Sequence, residues 1–274
     1  MKEVIVIVDN TDACQQRVEI AASYASKMGA HLTGLFVTPD IMFPRYVSEG
    51  IVAEARKQHD KEFGLRVENA RQVFDKVAER VESGADLLAV QGDFSEVVTG
   101  HSRCADLLVM GQAMTGQGEV ANQEAPDKII LRSGRPVLVV PYIKCNVQVP
   151  KRVMVAWDGS REATRALHDA LPLLEQADQV EVVNVTEAKS KAAHYADMEL
   201  LLIQLERHGV TATSCQIEKT KLSTGNLLLN HIVDSGASLL VTGAYGHTRL
   251  REIVMGGVSQ EVLEHCSIPV LMSR

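Results

Sequence analysis

Val4-Ile5-Val6-Ile7-Val8-Asp9-Asn10-Thr11-Asp12 and Val153-Met154-Val155-Ala156-Trp157-Asp158-Gly159-Ser160-Arg161 carry the same pattern twice. Each is a short apolar, β-branched run ending in Asp and small polar residues, which reads as a buried strand entering a turn. Further along come Ala105-Asp106-Leu107-Leu108-Val109-Met110-Gly111 and Ala237-Ser238-Leu239-Leu240-Val241-Thr242-Gly243. Each half closes on Pro-Val-Leu, at Pro136-Val137-Leu138 and Pro269-Val270-Leu271. Matched landmarks in one order indicate a duplicated unit.

Working outward, the first copy predicts strands at residues 4–8, 31–37, 87–91, 107–110 and 137–140. Its helices are predicted from a Thr11-Asp12 cap to Met28, over 47–80 with a break near Gly64, over 94–102 and over 127–131. The second copy repeats the order. Strands are predicted at 152–157, 180–185, 211–218, 239–242 and 270–272, and helices at 160–174, 192–208, 226–234 and 258–265. Apolar strands alternating with amphipathic helices imply a parallel sheet covered on both faces. The expected class is therefore α/β: two tandem, doubly wound, Rossmann-like five-stranded domains, at residues 1–144 and 150–274. The short linker between Pro141 and Pro150 favours an intramolecular pair resembling a dimer.

Composition narrows the function classes. The chain has 274 residues, 46% hydrophobic and 23% charged, as expected of a globular protein. A net charge of −7 gives no electrostatic reason to bind nucleic acid or an anionic membrane. No apolar run approaches the ~20 residues of a membrane helix. Met1-Lys2-Glu3 runs directly into a strand, so no secretory signal is expected. Cys14, Cys104, Cys145, Cys215 and Cys266 are scattered and form no CxxC pair, which argues for buried thiols in a reducing cytoplasm. His168, His194, His208 and His231 show no HxxxH or HExxH spacing, so spacing predicts no metal site. Trp157 is expected in the core or in a site wall.

The copies differ after their fourth predicted strand. The second reads Gly243-Ala244-Tyr245-Gly246-His247-Thr248-Arg249-Leu250-Arg251, then Met255-Gly256-Gly257-Val258-Ser259. Glycines beyond a strand's carboxyl end let backbone approach a phosphate, and a following helix offers free N–H groups. Gly256, Gly257 and Ser259 stand at the start of the helix predicted from Val258, and His247, Arg249 and Arg251 add positive charge. Glycines serving only tight turns would give the same pattern. It is not a Walker A loop, which needs GxxxxGK[ST]. In the first copy Met114 replaces the second glycine, and Glu119 and Glu124 would repel phosphates. That copy is expected to have lost the loop, with Asp9 kept as a turn residue.

The spacing Gly243-x-x-Gly246, nine residues, Gly256, then Val258-Ser259 resembles the G-2x-G-9x-G-[ST] signature of the universal stress protein family. Asp158-Gly159-Ser160 and the closing Pro269-Val270-Leu271 resemble its other landmarks, and the likeness runs nearly the whole chain, twice over. It implies a cytoplasmic stress-response protein whose C-terminal domain binds ATP or a related adenine nucleotide, with or without magnesium. Asp158 and Val185 would hold adenine, and Gly243, Gly246, Gly256 and Ser259 the ribose and phosphates. Where the family has Ser or Thr directly after the third glycine, this chain has Gly257. A lost hydrogen bond to a charged group costs about 1.5–3 kcal/mol, roughly ten- to a hundredfold in affinity. The resemblance also implies pairing of residues 137–140 with 270–272 and leaves a homodimer open. Two other readings stand beside it: a nucleotide-free interaction scaffold or apolar-ligand binder, and, ranked last, a slow ATPase without an evident water-activating base.

Overall fold

A computed structural model of the chain describes residues 1–41, 48–113, 126–146, 148–186, 191–245 and 257–274, with the backbone alone for 191–197. The first half runs β1 (Glu3–Val8), α1 (Cys14–Met28), β2 (His31–Thr38), α2 (Glu49–Ala78), β3 (Ala85–Gln91), α3 (Phe94–Ser102), β4 (Leu107–Gly111), α4 (Pro126–Ser133) and β5 (Val137–Val140). The second runs β6 (Arg152–Ala156), α5 (Arg161–Leu174), β7 (Gln179–Thr186), α6 (Lys191–Arg207), β8 (Ala212–Glu218), α7 (Thr224–Ser235), β9 (Leu239–Gly243), α8 (Gly257–His265) and β10 (Val270–Ser273). All ten strands form one sheet in the order β3-β2-β1-β4-β5-β10-β9-β6-β7-β8. Each half thus has the same strand order. Within a half the pairings are parallel; β5 and β10 join the halves antiparallel, through Val139–Val270, Leu138–Leu271 and Val137–Met272.

Alternation along the strands builds two cores. Val4, Val6 and Val8 of β1, with Val153 and Val155 of β6, face a layer made by α1, α2, α5 and α6. Ile5, Ile7 and Met154 face the opposite layer, of α3, α4, α7 and α8. The central strands β4, β5, β9 and β10 are buried nearly throughout, whereas the outer strands β3 and β8 alternate. Strands covered on both faces need apolar side chains at every position, and this is why their runs are continuous.

Three departures from the sequence reading have a local cause. Helix α1 begins at Cys14 after Ala13, and no side chain caps it. Thr11 is engaged elsewhere, donating to Asp9. Helix α2 continues through Gly64, where an added Cβ would meet nothing within 4 Å. A glycine costs about 1 kcal/mol in a helix interior, too little to break a segment anchored by buried Ala70, Phe74 and Val77. Strand β6 ends at Ala156, so Trp157 lies beyond it. Elsewhere local signals shape the helix ends: Ser160 Oγ accepts the Ala163 N–H at 3.1 Å, and Gly29 and Gly236 close α1 and α7 in the left-handed conformation.

Candidate functional site

In the second half the chain leaves β6, builds β7 and β8 on one side, then returns to place β9 on the other. The strand order reverses between β6 and β9, and ligands of open α/β sheets bind outside the carboxyl ends at such a reversal. A cleft of about 410 Å³ opens there. Its floor is Ala156, Val183 and Thr242, and its walls are Trp157, Asp158, Val185, Lys219, Thr224, Leu228, Gly243 and Tyr245. Gly257, Val258 and Ser259, the first residues of α8, close one side.

The turn carrying Asp158 is fixed by local bonds. Ser160 N–H donates to Asp158 Oδ1 at 2.9 Å across Gly159, whose φ of +75° favours glycine. Asn184 holds the preceding backbone, donating through Nδ2 to the Trp157 carbonyl at 2.6 Å, while the Trp157 N–H donates to Val183 O at 2.8 Å. Gly159 shapes this turn and is not among the lining residues.

On the glycine side, Gly243 has an unanticipated role. A Cβ there would lie 2.5 Å from the Ala163 backbone nitrogen and 2.5 Å from the Glu162 carbonyl carbon. The missing side chain admits the first turn of α5 against β9. Tyr245 then adopts φ +68°, the one non-glycine in the left-handed region among the described residues. Its N–H donates to Ser259 Oγ at 3.4 Å, tying the loop to α8. The Arg274 guanidinium stands 6.0 Å from its ring centroid. Its hydroxyl is buried without a hydrogen-bond partner among the described residues; burial first, and the charge of Asp127 on α4 second, push the phenol well above its ordinary range. Tyr245 therefore borders the cleft and the junction between the halves together.

Of the residues singled out from the sequence, Asp158, Val185, Gly243, Gly257, Val258 and Ser259 line one cleft. Gly246, His247, Arg249 and Gly256 lie outside the described residues, as do Met114, Glu119 and Glu124 of the first copy. Lys219, Thr224 and Leu228 had not been anticipated. Lys219 follows the outer strand β8 and is anchored by its N–H to Thr186 O at 2.9 Å; no motif marks such a position.

At the corresponding place in the first half the side chains are larger. By register Ile7 stands for Ala156 and Met110 for Thr242, and by helix start Phe94 stands for Thr224; Ile7 and Met110 belong to the apolar core of that face, and Phe94 packs against it. Asp9 is engaged by Arg17, whose Nη2 lies 2.5 Å from Asp9 Oδ2 and whose Nε donates to Ile7 O at 2.7 Å. Asp9 also accepts from the Thr11 N–H at 2.9 Å, the turn role expected of it.

Comparison with known proteins locates this geometry. The model of the Universal stress protein family matches residues 150–274. Over its whole length the chain is 27% identical to a curated universal stress protein of Synechocystis, the alignment covering 100% of both. A universal stress protein structure from Archaeoglobus fulgidus is similar at a TM-score of 0.74 and 18% identity, over 99% of this chain and 98% of that one. A Pseudomonas aeruginosa structure described as functionally unknown is similar at 0.60 and 13% identity, over 100% and 92%. At these identities the structural likeness speaks for the fold.

Proposed function

We propose, from the match of the Universal stress protein family model to residues 150–274, that the protein is a stress-response sensor whose C-terminal half binds ATP or a related adenine nucleotide. The observation that carries the reading is the cleft at the strand-order reversal, in which Asp158, Val185, Gly243 and the first turn of α8 face one space. Val183, Val185 and Leu228 supply an apolar wall for a base, and the Asp158 carboxylate an acceptor for its amino group. Backbone N–H groups of α8, the Ser259 hydroxyl and Lys219 supply donors and charge for phosphates. Magnesium would be held mainly by the phosphates themselves. Asp158 is the one carboxylate among the described lining residues, and the reading gives it to recognition, so hydrolysis has no part in the proposal. The division at 1–144 and 150–274, with the first part supporting the second, belongs to the same reading.

Calorimetric titration with ATP and magnesium tests it. Saturable binding below millimolar concentration, lost in Asp158→Ala, is the expected result; heat-silent mixing at millimolar nucleotide overturns it. Gly257 favours a second reading, an apolar-ligand binder or nucleotide-free scaffold, because the phosphate end lacks a hydroxyl there. Stoichiometric nucleotide in the purified protein would reject that alternative.

A further inference from the structure

Glu181, Cys215 and His231 are far apart in sequence, and the fold brings them together. On β7, Glu181 shares its face with Val183 and Val185; on β8, Cys215 shares the same face with Ile217. Helix α7 covers that face through Leu228 and Ile232, and places His231 over the two strands. His231 Nε2 lies 2.7 Å from Glu181 Oε2, and the side chains are 21% and 32% exposed. One ligand atom from each of Glu181, Cys215 and His231 lies within 4.8 Å of the others.

We propose that Glu181, Cys215 and His231 form a transition-metal site, with zinc as its ion and water at a fourth position. An imidazole nitrogen, a thiolate sulfur and a carboxylate oxygen suit zinc and its neighbours; magnesium and calcium take oxygen ligands. A tetrahedral zinc holds such donors roughly 3–4 Å apart. The His231–Glu181 contact, at 2.7 Å, would open slightly to admit the ion. On binding, the Cys215 thiol releases its proton to solvent, His231 coordinates as neutral imidazole, and no redox step is involved. A bare His–Glu pair would explain two of the three groups and leave the cysteine as apolar packing alone. The ion would fasten α7 to β7 and β8. The neighbouring cleft also draws Thr224, Leu228, Val183 and Val185 from α7 and β7, but the site stands independently of what the cleft binds.

Cobalt(II) titration of the full chain is the test, because cobalt reports its own ligands. One equivalent should produce a thiolate-to-cobalt charge-transfer band and the visible bands of a four-coordinate ion, both displaced by zinc. Cys215→Ser should abolish the charge-transfer band. His231→Gln and Glu181→Gln should weaken zinc binding by more than the ~10–100-fold that loss of an outer hydrogen-bond partner costs. Cys104→Ser and Cys266→Ser should leave the spectrum unchanged. In the unaltered protein, zinc should also protect Cys215 from alkylation, read by mass spectrometry. A spectrum without a thiolate band, a band that survives Cys215→Ser, or equal alkylation of Cys215 with and without zinc overturns the proposal.

Discussion

Arg17 is 2% exposed, and eight residues after Asp158, where its counterpart would stand, the second half has Ala166. A buried guanidinium is tolerated only when paired and hydrogen-bonded, and Asp9 and the Ile7 carbonyl provide this. Arg17→Leu leaves Asp9 facing an apolar neighbour. It should lower unfolding stability by about 3–5 kcal/mol, the cost of breaking a buried pair, as read by urea denaturation. Unchanged stability would overturn this reading of the pair. Gly257 is the opposite case. No described atom lies within 4 Å of the Cβ it lacks, and it stands at the first position of α8. Gly257→Ser should therefore fold normally and restore one hydroxyl to the cleft. ATP affinity should rise roughly ten- to a hundredfold; an unchanged affinity would place the phosphates away from α8.

At the scale of elements, the packing of α5 on β9 explains one glycine of the loop motif. The backbone of Glu162 and Ala163 occupies the space a side chain on Gly243 would need. Backbone cannot rotate away as a side chain can, so α5 would have to lift from the sheet. Gly243→Ala should cost about 1–3 kcal/mol, as overpacking does. Thermal unfolding without ligand should show this loss, distinguishing it from a purely phosphate-facing role, which would leave the ligand-free protein unaltered. Gly111 occupies the matching position on β4, and its absent Cβ would fall 2.6 Å from Arg17 Nη1. Both halves thus keep a glycine there for close approach, one to backbone and the other to a buried cation.

For the whole molecule, the decisive contact is the antiparallel pairing of β5 with β10. It joins two parallel sheets into one and leaves β3 and β8 as the outer edges. The residues that meet, Val137, Leu138, Val139, Val270, Leu271 and Met272, are at most 3% exposed. A separated second half would expose β10, an apolar strand with unpaired N–H and C=O groups. Residues 150–274 expressed alone should therefore dimerise through β10, which pairs with itself about a two-fold axis as it pairs with β5 here. Sedimentation equilibrium should show a dimer, and Leu271→Glu should shift it towards monomer; a monomeric isolated half would mean that β10 is protected by other means.

The alternation of strands and helices was legible in the residues because its signals are local. β-Branched runs, Ser160 as a cap, and Gly29 as a stop act within a few residues of where they stand. Asp158 and Gly243 were legible as cleft-lining positions as well, because they lie at the carboxyl ends of β6 and β9. Lys219, Thr224 and Leu228 were not, since the crossover between β8 and α7 brings them to the cleft from another part of the chain. Nor was the reason for Gly243, which lies in the backbone of a helix eighty residues earlier. Histidine spacing predicted no metal site, whereas Glu181, Cys215 and His231 converge across two strands and a helix. The sequence by itself determined the repeated α/β order and the ends of its elements, because these depend on short-range periodicity and backbone preference. Only the tertiary structure decided which distant side chains share a cleft, because side-chain proximity exists only once the strands are side by side.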